Sequence, residues 1–439
     1  MGLWARDSAT VAGTQFSTLA VTTVLGILVA RYLGPSEFGI FAGFLGLAQV
    51  ATLVAGVGIP TWLLRELSNA LASQQEAEHA VASRNLSAAL ALVGSLSAFL
   101  TLVALSAGHL LVSGNLALAL GALMGYMGLL SCSTILEIVF RAHRRLSRVV
   151  VATFLEKLSL LAIVVAATVI EAGIVGIALG YVAAGLLRLS WDLYTIRTGD
   201  MTPLSRPSVA DVRMVIRGAL PFGLGSTIPS GIARLDFFLI GLVSTSTAGF
   251  YAVADRFVSV LLIIPVAGAY ALYPHLAGRQ DAVRATWRMA RLLALLGVVL
   301  AGIAIFLADS AVPLLFGSRY EAAAPGLRIM LLATPFLFAV NILVAGLFSG
   351  GHERRVLVVM LVAAGSGSVL VVAGGALFGL QGAAAGYMLR SILSLLGLAA
   401  LSRSLRPPSR LTPDRPAALA HAEPIVPSER LRLKQRSAD

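Results

Sequence analysis

The sequence predicts an all-α polytopic membrane protein with about twelve transmembrane helices, in two six-helix bundles around a central cavity. Three observations carry that prediction. The 439 residues are 58% hydrophobic and only 12% charged, with a mean hydropathy of +0.88, whereas soluble domains carry about 25% charge. The apolar residues come in runs of about 20, the length that carries a helix across a hydrocarbon core of about 30 Å, and not in the alternating ten-residue segments of a barrel. The basic residues, 31 Arg and 2 Lys, gather on one side of those runs. Together these exclude a soluble enzyme and a disordered scaffold. They also argue against a nucleic-acid partner, because a positive membrane face accounts for most of the net charge of +12.

The spans fall at residues 10–30, 38–62, 86–108, 116–139, 152–170, 174–191, 218–242, 248–275, 290–308, 322–348, 356–377 and 382–402. On one side the connections RYLGPSE, SGN, EAG, STST and FGLQ are very short, and the loops there hold only Arg31 and Arg319. On the other side they are longer and basic, as in FRAHRRLSR and in the stretch from Arg188 to Arg217. This bias places both termini in the cytoplasm, in a plasma (inner) membrane, and favours an even number of spans. The first apolar run follows MGLWARDSAT without a small-residue cleavage site and reads as a retained helix. The expected units are residues 1–208 and 209–405, one bundle each, and 406–439, a disordered, basic cytoplasmic tail rich in proline. Two amphipathic stretches, FRAHRRLSRVV and PSVADVRMVIRGA, are expected along the membrane surface, the second linking the bundles.

The chain carries signs of duplication. Gly39-Ile40-Phe41-Ala42 lines up with Gly249-Phe250-Tyr251-Ala252, each opening the second helix of a six-helix set. Six is even, so the halves share one orientation and are expected to be related by an axis along the membrane normal.

Charges inside spans cost about 2.5–3.5 kcal/mol on insertion scales, so each needs a reason. Arg234 lies about 24 Å along the seventh span from the basic side at 1.5 Å per residue, with Asp236 one step beyond. Asp255 and Arg256 lie about 10 Å into the eighth span from the opposite side, hence at similar depth. Arg328 and Arg390 enter the tenth and twelfth spans from that same side. Two arrangements fit: buried pairs Arg234–Asp255 and Asp236–Arg256, or arginines facing a wet cavity that holds an anion. Four arginines against two aspartates favour the anion, and guanidinium forks suit phosphate oxygens. Pro229, with Pro221, in the seventh span, Pro265 in the eighth and Pro335 in the tenth remove backbone donors and are candidate hinges. In the first bundle's spans only Glu137 is counted as acidic, near a basic end. The single Cys132 offers no disulfide or thiolate metal site, and the histidines have no metal-ligand spacing. No phosphate-binding glycine loop or nucleophile elbow occurs, so neither an enzyme nor a cofactor is expected.

ARYLGPSEFGIFAGF, Ala30 to Phe44, resembles the opening hairpin of the bacterial polysaccharide flippases, the O-antigen and exopolysaccharide exporters of the multidrug/oligosaccharidyl-lipid/polysaccharide exporter superfamily. GVGIPTWLLRELS is similar to that family's G…R…S pattern, with Arg65 as its Arg. The stretch from IARLDFF to YPHLA resembles its seventh and eighth helices through Asp236, Gly249, Tyr251, Ala252, Arg256, Pro265 and Pro274. LLFGSRYEAAAPGLRIM matches its F-G-x-x-Y-x-x-A segment through Phe316, Gly317, Tyr320, Ala323 and Leu327, and QGAAAGYML looks like the opening of its last helix. The resemblance implies two bundles that move an undecaprenyl-pyrophosphate-linked glycan from the inner to the outer leaflet. Arg234, Arg256, Arg328 and Arg390 would then contact phosphate or sugar, with Arg31 at an outer gate and Asp236 and Asp255 in coupling or gating. The implied partners are the lipid-linked oligosaccharide, the bilayer and, beyond them, a polysaccharide polymerase and glycosyltransferases. The competing expectations are a multidrug or cation efflux carrier of the same superfamily, which would need unpaired acidic residues in the first bundle, and a glycan-assembly scaffold with no transport.

Overall fold

A computed structural model describes residues 2–73, 75–111, 113–199, 201–223, 228–276 and 282–404; the expected tail from 406 lies outside them. Among the described residues every regular element is a helix. The first half comprises α1 (Gly2–Ala55), α2 (Ile59–Ala72), α3 (Glu76–Leu111), α4 (Gly114–Ala142), α5 (Leu146–Val169) and α6 (Gly173–Thr198). The second comprises α7 (Val209–Gly223), α8 (Ile228–Val243), α9 (Thr245–Leu261), α10 (Ile263–Leu276), α11 (Ala282–Phe316), a 3-10 turn at Ser318–Ala323, α12 (Ala324–Leu331), α13 (Thr334–Ser349) and α14 (Glu353–Ser404). Among the described residues eight helices are individually long and apolar enough to cross a membrane, nine if the bent pair Ser318–Leu331 with Thr334–Ser349 counts as one span. Two of the eight, α1 and α14, are each two helices joined at a glycine, and with the apolar α8 (Ile228–Val243) the described helices agree with about twelve spans.

Local chemistry sets the breaks. Gly34 (φ 75°) divides α1 and Gly379 (φ 60°) divides α14, in a backbone region where a side chain is strained. Proline cannot donate to the carbonyl four residues back. Accordingly α9 stops at Leu261, four before Pro265, and α12 stops at Leu331, four before Pro335. The second break bends its span by 48°, while Thr245–Ala269 still runs as one span past Pro265. Pro229 falls in the first turn of α8, where the missing donor costs nothing; its side chain lies outside the described residues. Ser208 starts α7 with a reciprocal cap: its N–H and Oγ donate to Asp211 Oδ2 at 2.8 and 2.7 Å, and the Asp211 N–H returns a bond to Ser208 Oγ at 3.2 Å. The Ser208 backbone N–H, with help from its hydroxyl, holds the Asp211 carboxyl below its ordinary range.

The apolar clusters show how the halves meet. At the short-loop end one continuous cluster draws on both, joining Phe38, Phe41 and Tyr181 to Tyr251, Tyr320 and Tyr387. At the basic end the clusters separate. One holds Ile59, Trp62, Leu86 and Leu136 of the first half; the other holds Ile342, Leu343, Val356 and Leu398 of the second. Among the described residues α7 crosses over: its Val215 and Ala219 join the first cluster, packed on α2 and α3. The described core is therefore continuous between the halves at the short-loop end and falls into separate clusters at the basic end. Outward faces are apolar, as in α11, where Leu295, Val299, Ile303 and Phe306 form an exposed stripe fit for lipid.

Candidate functional site

The seal is built on glycine. After the Gly34 turn, α1 presents Gly39, Gly43 and Gly46 along one face, the small-residue spacing that lets helices pack backbone to backbone. A Cβ on Gly39 would strike the Thr245 carbonyl oxygen, and one on Gly249 would strike that of Pro35. Thr245 precedes Gly249 by the same four residues by which Pro35 precedes Gly39, so the contact is reciprocal, as about a local two-fold. Gly43 and Gly46 continue the contact onto Phe237, Phe238 and the Arg234 carbonyl of α8. Polar links brace this end. Ser36 Oγ and Thr245 Oγ1 are 2.7 Å apart. The Tyr320 hydroxyl donates to the Ala30 carbonyl at 2.8 Å. Arg31 Nε donates to the Leu315 carbonyl at 2.7 Å and Arg31 Nη2 to that of Leu314, joining α1 to the end of α11.

A second repeat element, unnoticed in the sequence reading, lies in the last helix of each half. Gly173-x2-Gly176-x3-Gly180-Tyr181 matches Gly379-x2-Gly382-x3-Gly386-Tyr387, and Gly173 and Gly379 share a left-handed backbone at φ 62° and 60°. Tyr181 meets Phe41 edge-on at 5.4 Å between ring centroids, and Tyr387 meets Tyr251, the counterpart of Phe41, edge-on at 6.3 Å. The motif spacing was present in the sequence and could have doubled the case for duplication.

The intramembrane charges do not form the pairs Arg234–Asp255 and Asp236–Arg256, one of the two arrangements that the sequence allows. Asp236, fully buried on α8, bonds to Arg390 of α14, and Arg390 also lies over the Tyr387 ring, 4.9 Å from its centroid. Asp255, at the depth of Arg234, accepts a 3.4 Å bond from Ser259 on its own helix. Arg256 lies across the seam against α1, its guanidinium beside Gly26 and its Nη1 3.4 Å from the Thr22 carbonyl. Helix rotation explains the partners: depth along a span follows from about 1.5 Å per residue, but the direction a side chain faces depends on its tertiary neighbours. Arg328 sits on the surface, paired with Asp309 of α11, both substantially exposed. Arg234 is exposed, and among the described residues it has no hydrogen bond or ion pair. Pro265 is buried at the α9–α10 break.

Beside this seam lies a cavity of about 330 Å³ whose wall includes Thr52, Leu53, Thr61, Ser131 and Thr134 of the first half, and none of the predicted arginines. Thr52, Ser131 and Thr134 donate to carbonyls of their own helices at 2.9, 3.0 and 2.9 Å, which leaves their oxygens free to accept. Leu53 lies 3.2 Å from where a Cβ on Gly231 would sit, one turn before Arg234.

The first bundle also holds buried charge that the sequence reading did not count. Glu156 and Asp192 expose no surface, and Glu137 and Arg188 almost none. Arg188 bonds to Glu137 and Glu156, Lys157 Nζ reaches Glu156 at 2.8 Å, and the Tyr126 hydroxyl donates to Glu156 at 2.8 Å. Arg188 opens the stretch that the sequence places on the basic side, and Lys157 lies near the start of the span 152–170. Their position near span ends is what concealed them.

The family described as Polysaccharide biosynthesis protein matches residues 5–279. No curated protein matches the chain. Among solved structures, the lipid II flippase MurJ in an inward closed conformation is 11% identical with a TM-score of 0.72, over 89% of this chain and 86% of that one. An inward-facing multidrug resistance MATE family transporter of the MOP superfamily is 15% identical with a TM-score of 0.71, over 91% and 99%. A MOP superfamily transporter from Pyrococcus furiosus, described by a reversed polarity of its binding pocket, is 14% identical with a TM-score of 0.62, over 91% and 95%. At these identities the likeness concerns the fold.

Proposed function

The chain belongs to the polysaccharide biosynthesis protein family, and from that premise we propose that it is a flippase moving undecaprenyl-pyrophosphate-linked oligosaccharide repeat units from the inner to the outer leaflet by alternating access. The basic end is then cytoplasmic, both termini included, and the glycine-sealed end faces outward from a plasma (inner) membrane. The observation that carries this reading is Arg234: a permanently charged group within a span, on the seam between the halves, exposed and free of any carboxylate among the described residues. A cation left unpaired at membrane depth is costly unless water or an anion meets it, and a pyrophosphate is an anion that guanidinium geometry fits.

The pyrophosphate enters from the divided, cytoplasmic half and is held by Arg234 with Arg256. The prenyl chain stays in lipid, and the hydroxyls of Thr52, Ser131 and Thr134 in the mainly apolar cavity accept hydrogen bonds from sugar hydroxyls. Arg390 and Arg328 each begin paired with a carboxylate and contact the ligand by exchanging that partner for a phosphate or sugar oxygen. Asp255 and Asp236 keep the arginines in register. Breaking the Arg31, Tyr320 and Ser36 links opens the far end, with Pro265 and Pro229 as flexing points. A polysaccharide polymerase and glycosyltransferases are the proteins expected beside it.

Arg234→Ala is expected to abolish glycan export while the protein still purifies as a folded species; export at the wild-type level removes Arg234 from the site. One observation favours the competing multidrug or cation efflux carrier, namely buried carboxylates in the first bundle. Arg188 and Lys157 neutralise most of that charge, which leaves the anionic substrate better served.

A further inference from the structure

We propose that the groove at the short-loop face of the second half, between α9, α12 and the break in α14, binds the neutral saccharide part of a delivered lipid-linked glycan. The proposal rests on the transport reading above, which makes this face the outer one. The groove is separate from the cavity beside Arg234 and encloses about 430 Å³, within the range of about 300–1,000 Å³ that small-ligand sites occupy. Among the described residues no charged side chain lines it, so it is built for an uncharged ligand and not for the pyrophosphate.

Local structure places each group. Gly379 (φ 60°) breaks α14, with Phe378, 74% exposed, on one side of the break and Gln381, also exposed, on the other. Leu380 docks on α12 at Gly326, where a Cβ would strike its side chain, and this sets Pro325 in the groove wall. The Phe250 ring is held edge-on to Tyr320, 6.1 Å between centroids. Thr247 stands in the first turn of α9, and its N–H donates to Ser244 Oγ at 3.2 Å. The carbonyl four residues before Thr247 belongs to α8, so the usual back-bond of a threonine hydroxyl within its own helix is denied. Among the described residues neither the Thr247 hydroxyl nor the Gln381 amide bonds to another group.

These groups identify the ligand class. A sugar ring offers a C–H face that stacks on an aromatic ring and hydroxyls that both donate and accept, as the threonine hydroxyl and the glutamine amide do. An acyl chain in the same groove would cover both polar groups without giving either a partner.

The duplication supplies an internal control. Aligned on Gly39 with Gly249 and on Gly173 with Gly379, the first half carries Glu37 for Thr247, Ile40 for Phe250, Ala172 for Phe378 and Val175 for Gln381. The fold therefore requires neither the exposed ring nor the amide at these places, yet the second half gathers them around one groove. Thr247 also lies two residues past Thr245, whose Oγ1 meets Ser36 Oγ across the seam at 2.7 Å, so a bound sugar rests beside the exit.

The test is saturation-transfer NMR of the full chain in lipid nanodiscs, with the free oligosaccharide released by mild acid from the host's prenyl-linked glycans as the probe. All proteins carry Arg234→Ala, which silences the central site. That background should still pass saturation to the sugar protons. Adding Phe378→Leu or Gln381→Ala, both at exposed positions, should weaken binding about fivefold each, and adding both should abolish the signal. No signal in the background protein, or a full signal after both additions, overturns the proposal. Leucine keeps an apolar group for lipid, so a ring that only anchors in the bilayer predicts wild-type binding by Phe378→Leu, and that result overturns the stacking role. The signal reports contact and not transport, so its failure is distinct from failure of the transport reading, which the accumulation of lipid-linked glycans on depletion tests separately.

Discussion

Asp236 has no exposed surface, and Arg390, its partner, is 154 residues away in sequence. Removing one member of such a pair strands a charge in a low dielectric, at about 3–5 kcal/mol, whereas replacing both with apolar groups of similar size is often neutral. Arg390→Ala is therefore expected to lower stability by roughly that amount, and Asp236→Leu with Arg390→Leu to recover most of it. Thermal unfolding in one detergent measures both, and an Arg390→Ala protein as stable as wild type would mean that the pair is not formed. At this scale the sequence supplied the charges and their depth but not their partners. Asp236 and Asp255 were legible as costly intramembrane groups, while their neighbours depended on which way each helix faces. Asp192 and Glu156 escaped notice because arginines close by made their surroundings look like a wet membrane face.

Helix boundaries were far more legible, because they obey local rules. Pro265 and Pro335 end helices four residues ahead of themselves, and Gly34 and Gly379 turn the chain where a side chain would be strained. The Gly39–Gly249 alignment, found as a short repeat, is the point at which the halves cross, which no local rule could reveal. That crossing makes a prediction of its own. Ser36 and Thr245 hold their side-chain oxygens 2.7 Å apart across the seal, close enough for a disulfide after substitution. In Ser36→Cys with Thr245→Cys, oxidation is expected to stop export and reduction to restore it. Undiminished export by the fully oxidised protein would mean that this end need not open.

For the whole molecule, hydropathy and charge asymmetry were enough to predict a polytopic helical protein of about twelve spans, because the bilayer dictates helix length and backbone satisfaction. The sealed and divided halves were not legible, since they depend on which apolar faces meet. That asymmetry is what makes alternating access the natural mechanism: one end closes on backbone contacts between glycines, the other keeps two separate cores. The most direct measurement of the central claim is mass spectrometry of lipid-linked glycans in cells before and after depletion of this protein. Complete prenyl-linked repeat units should accumulate while surface polymer falls, and wild-type but not Arg234→Ala protein should reverse both changes. Depletion without accumulation, accompanied by new drug sensitivity, would contradict the flippase account and point to efflux instead.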